Sequence, residues 1–190
     1  YWNKSFSRSF SMISKSLIKL IDEAIVPALL LILAKGIGLF ATVVFFNLPF
    51  TLEYRSIFGL LPSFRFATLQ AYITAENYSN LAMFAAVAAG TIIVILKAHF
   101  LHESHIHPRL HAKLLGLNLE RLVQSSYHLY HQAAIWLIFL WLTVGFLVIS
   151  SIAEITYTQI TLAAFLVSAN LSWVFALDIE KEIELSKGEL

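Results

Sequence analysis

Apolar residues run in four long, nearly unbroken blocks, separated by segments where Ser, Pro and charged residues return. The blocks cover residues 25–46, 81–101, 133–153 and 156–177. Each is close to the length, about 20 residues, that one helix needs to cross the hydrocarbon of a bilayer. Lys35 interrupts the first block, and Lys97 falls near the end of the second. The third has no charge, and the fourth holds Gln159 and Asn170 but no charge. Continuous runs of this length do not alternate as barrel strands do. The pattern predicts an all-α integral membrane protein built as a four-transmembrane-helix bundle.

The segments between the blocks have patterns of their own. Trp2, Phe6, Phe10, Ile13, Leu17 and Leu20 recur at spacings of three and four, with Ser, Lys and Arg on the opposite side. Residues 1–24 therefore read as an N-terminal interfacial amphipathic helix, the cations of residues 1–21 turned to anionic headgroups. Residues 47–80 are punctuated by Pro49 and Pro62, yet Phe58, Leu60, Phe64 and Phe66 make them too apolar for a free loop. Short helices folded back on the outer surface are expected there. Pro108 is expected to end a helix that extends span two. Residues 178–190 form an acidic cytoplasmic tail, and Ile179 and Ile183, four apart, carry span four a turn or two into it.

Composition narrows the class. Of 190 residues, 58% are hydrophobic, 14% aromatic and only 13% charged, where an ordinary globular domain carries about 25% charge. A conventional soluble domain and a disordered chain are both excluded. With no Cys, disulfides, thiolate metal sites and thiol nucleophiles are absent. A net charge of +1 gives no reason to expect a nucleic-acid partner. The distribution of cations says more than their sum. Lys4, Arg8, Lys15, Lys19, Lys97, Arg109, Lys113, Arg121, Lys181 and Lys187 fall in the N-terminal, central and C-terminal segments, against Arg55 and Arg65 in residues 47–80. Ten against two places both termini and the central loop in the cytoplasm. A bacterial or archaeal inner membrane fits this arrangement. The Ser- and cation-rich start also resembles a mitochondrial presequence, which keeps the mitochondrial inner membrane as the alternative.

Two features carry candidate chemistry. All seven His lie between positions 99 and 131. His99, His102 and Glu103 share a helical face at i, i+3 and i+4, and His128 and His131 repeat the spacing where span three enters the membrane. Neutral imidazole is a common metal ligand, so these five residues are the candidate metal set, and haem held by one His from each helix is the related reading. An interfacial belt of His and Tyr is the plainer account of the same residues. The second feature is Lys35, an intramembrane charge for which span four offers Asn170 and Gln159 as polar partners. Lys35 is therefore expected to face span four, near Asn170 or Ser168.

Small residues recur every four positions at Ala34, Gly38 and Thr42, at Ala82, Ala86 and Gly90, and at Ala164, Ser168 and Ser172. Such stripes let helix backbones approach closely, within one chain or between the subunits of a homo- or hetero-oligomer. No phosphate-binding Gly loop, nucleophile–base motif or catalytic carboxylate pair is present. The leading functional reading is a small, non-catalytic multi-pass subunit or scaffold of a larger membrane assembly. A metal- or haem-binding redox protein and a small transporter working through Lys35 are the alternatives.

Overall fold

The computed structural model describes residues 2–56, 61–101, 106, 108–117 and 126–188. Five helices and one hairpin follow in order: α1 Trp2–Phe45, β1 Phe50–Ser56, β2 Leu61–Phe66, α2 Leu69–Phe100, α3 Pro108–Gly116, α4 Ser126–Ile152 and α5 Thr158–Gly188. Among the described residues, four stretches are long and apolar enough to cross a membrane: Leu20–Phe45, Leu69–Phe100, Tyr127–Ile152 and Thr158–Glu184. The amphipathic stretch and the first span form one helix of 44 residues, about 66 Å at 1.5 Å per residue. Pro27 lies inside it without ending it.

The helices pack as a diamond. α2 and α4 touch along the short diagonal, while α1 lies mainly on α2 and α5 mainly on α4. Half of the α2 span is buried, but only 17% of the α1 and α5 spans, so the outer two helices leave most of their apolar surface uncovered. The core joins Phe84, Val87, Val94 and Ile95 of α2 to Trp136, Leu140, Val144 and Leu147 of α4. Small residues make these approaches possible. A Cβ on Gly38 would come within 2.5 Å of the Ala82 methyl, and one on Gly90 would overlap the Trp136 ring. Ala164 and Ser168 also face inward, so the small stripes are used within the chain.

Residues 47–80 depart from the expected short helices. A two-stranded antiparallel hairpin pairs Phe50 with Phe66 and Leu52 with Phe64, and α2 then begins at Leu69, twelve positions before the apolar block. The hairpin alternates: the Phe50 and Phe64 rings meet tilted at 5.3 Å on one face, while Arg65 Nη1 donates to Glu53 Oε1 at 2.6 Å on the other. Thr68 Oγ1 accepts from the Ala71 N–H at 3.2 Å and caps α2. Pro108 opens α3 rather than closing α2, because at the first helical position its missing N–H costs no bond.

Two helices end alike. Asn47 and Glu154 are the described non-Gly residues with positive φ, at 49° and 59°. The N–H of Leu48 reaches Val43 O, and that of Ile155 reaches Ser150 O. This is the left-handed closure that satisfies the last carbonyls of a helix.

Candidate functional site

Polar side chains gather in two layers at opposite ends of the four spans. The first lies where the α4–α5 turn meets the start of α2. Asn77 Nδ2 donates to Ile73 O at 2.7 Å and to Ile155 O at 3.0 Å. The Tyr157 N–H donates to Asn77 Oδ1 at 2.6 Å, so this buried amide is filled on both sides. One turn on, Asn80 Nδ2 donates to Thr156 Oγ1 at 2.9 Å. Lys35 enters from α1: its Nζ donates to Asn80 Oδ1 at 2.6 Å and to Glu76 Oε2 at 2.7 Å. An ion pair and three amide or hydroxyl groups thus tie α1, α2 and the α4–α5 turn together.

The second layer lies at the other end. Glu23 of α1, 11% exposed, has His128 Nδ1 at 3.3 Å from one oxygen and His131 Nε2 at 3.5 Å from the other. Asp178 of α5 is divided similarly, with His99 Nδ1 at 2.6 Å and the Tyr130 hydroxyl donating at 3.1 Å. A cleft of about 350 Å³ opens beside this pair, lined by Ile95, Leu96, Phe100 and Val174 with Lys181 at its edge.

Along α2, Asn77 to His99 spans about 33 Å, and along α5, Tyr157 to Asp178 spans about 31 Å. Both match the hydrocarbon thickness of a bilayer, about 30 Å. Lys35 is twelve residues beyond Glu23, about 18 Å along α1. Its Cα therefore lies within the apolar zone, and its stem carries the ammonium through the protein to the first layer.

Several expectations change here. Lys35 turns to α2, and Asn170 is exposed on α5 rather than facing it. The physical reason is that Glu76 belongs to a spanning helix, where it supplies the opposite charge that no amide of span four supplies. Ser168 is buried with no hydrogen bond to its Oγ, and nothing in the structure accounts for that. His99 is drawn to Asp178, while His128 and His131 share Glu23. His102 and Glu103 lie outside the described residues, as do His105 and His107. Among the described residues, no group of three or more His, Asp or Glu is arranged to hold a metal ion.

Sequence reasoning missed Glu23, Glu76, Asn77 and Asp178 as site residues. One signal was available: Glu76, Asn77, Ser79 and Asn80 stand directly before an apolar block and behind a capping Thr. Comparison with protein-family models, curated proteins and solved structures finds no match.

Proposed function

We propose that this chain is a four-span, non-catalytic subunit of a larger membrane assembly, with its termini, α3 and the histidine layer on the cytoplasmic side. The observation that carries this reading is the closure of the polar layer around Lys35. Among the described residues, the cation at depth is matched by Glu76, Asn80 and, through Asn80, Thr156. A charge so matched within a bundle holds helices in register instead of waiting for a ligand. The uncovered faces of α1 and α5 then serve as contact surfaces, and the basic start of α1, which continues past the Glu23 layer as part of the same helix, carries its cations to the cytoplasmic side.

Extraction of native membranes in a mild detergent, followed by mass measurement, tests this. The expected result is a particle heavier than one chain that dissociates when the bundle is unfolded. A single chain in detergent, with no cross-linked partner in the native membrane, contradicts it.

The small-transporter reading draws on the same ion pair, because Lys35 keeps 37% of its side chain exposed. It requires that Glu76→Gln abolish uptake in reconstituted vesicles while the bundle stays folded.

A further inference from the structure

Uncharged polar side chains within the spans are mostly turned inward: Thr42, Thr91, Thr143, Thr161 and Ser168 are all buried. Asn170 breaks that rule. It is exposed on α5, and its amide makes no hydrogen bond among the described residues. It lies twelve positions after Thr158 and eight before Asp178, which puts it near the middle of the hydrocarbon. A carboxamide facing acyl chains has no water to bond, so such groups find partners on another helix.

The residues around it are ordered. Gln159, Ala163, Leu166, Asn170, Trp173 and Leu177 are all exposed and follow one another at spacings of four, three, four, three and four. That is a heptad seam with Asn170 at an a position. It runs along the side of α5 opposite Ala164, Ser168 and Phe175, which pack into the core.

We infer that two copies of this chain pair in the membrane through α5, with Asn170 against the partner's Asn170. The amide itself argues for a second copy. One carboxamide has a donor and an acceptor on the same plane, so two related by a two-fold axis along the membrane normal satisfy each other. Each Nδ2 donates to the other's Oδ1. Because both copies insert the same way, the axis makes the helices parallel and brings every seam residue to its own counterpart at equal depth. A single polar residue at an a position then fixes register and pair number. Gln159 repeats the amide contact near the end of the span. Glu180 and Glu184 continue the seam beyond the hydrocarbon, where solvent and salt screen their repulsion. The inference deepens the subunit reading by naming one partner.

The test uses this Cys-free chain in native membranes. Leu166→Cys on the seam and Leu142→Cys on the exposed side of α4 are oxidised separately, and the adducts are identified by mass. Leu166→Cys is expected to give a disulfide dimer of this chain alone, and Leu142→Cys is expected to give none. In reconstituted phosphatidylcholine bilayers, energy transfer between labelled copies should show Asn170→Leu weakening the pair about tenfold or more, with helix content unchanged. Equal cross-linking at both positions, or an Asn170→Leu pair as tight as the parent, overturns the proposal. An adduct of Leu166→Cys with a different protein overturns the self-pairing but leaves the subunit reading standing. Absence of any adduct together with a monomeric particle overturns both.

Discussion

Lys35 and Glu76, forty-one positions apart, meet at 2.7 Å where α1 crosses the first turns of α2. The pair explains how a lysine with 37% of its side chain exposed sits in an apolar helix: its charge is matched by a carboxylate of the neighbouring helix. Its stem packs along the bundle while its ammonium reaches a carboxylate and an amide near the end of the spans. The same contact ties the α1–α2 pair to the α4–α5 turn, since Asn80 bonds both Lys35 and Thr156.

Asn77 does comparable work without charge. Asn77→Leu removes the acceptor for the Tyr157 N–H and the donor for Ile155 O, leaving two part-buried backbone groups without their partner at a cost of about 1 kcal/mol. Hydrogen exchange at Tyr157 should accelerate in this variant while exchange in the middle of α4 stays slow. Unchanged protection at Tyr157 would sink the assignment.

Two pairs of glycines separate contact from open surface. Gly38→Leu and Gly90→Leu drive side chains into Ala82 and Trp136, and each should cost at least about 1–3 kcal/mol. Gly36 and Gly145 have nothing within 4 Å of an added Cβ, so the same substitutions there should leave the monomer's stability unchanged or raise it. Denaturation in mixed detergent micelles measures all four. Equal losses would show that these crossings are misplaced.

Glu154 holds a left-handed conformation that suits glycine. Glu154→Gly should therefore stabilise the α4–α5 turn by about 1 kcal/mol, the strain of a side chain at positive φ. Thermal unfolding in detergent checks this, and a lower midpoint would contradict it.

The proposed sidedness rests on the cation distribution along the sequence. Cysteines placed singly at Glu53 and Glu154, both exposed at the hairpin end, should react with an impermeant reagent from outside. One at Lys113 in α3 should react only after the membrane is opened. The reverse pattern would invert the topology.

The four spans are legible because hydropathy is a summed property, and scattered polar residues barely change it. The start of α2 is not, because Glu76, Asn77, Ser79 and Asn80 lower the local average although they face α1 or the α4–α5 turn. Their burial depends on α1 and the α4–α5 turn, which no local window contains. The hairpin left a fainter trace. Phe50, Leu52 and Tyr54 alternate with Thr51, Glu53 and Arg55, a period of two that the surrounding apolar content obscures. His128 and His131, three apart on α4, both approach Glu23. That meeting with α1 is a tertiary fact with no counterpart in spacing. Asn170 was identifiable as an intramembrane amide, but its direction required the phase of α5 against the core.

The most direct test of the account is a double-mutant cycle on Lys35 and Glu76, read as unfolding free energy in mixed micelles. Lys35→Met and Glu76→Gln should each destabilise the bundle by about 1–2 kcal/mol, below the range for a fully buried pair because both groups keep some solvent contact. The double variant should lose clearly less than the two together, with a coupling of about 1 kcal/mol, since neither charge is then left alone. Additive losses, or two silent single variants, would show that the two residues do not hold α1 in place.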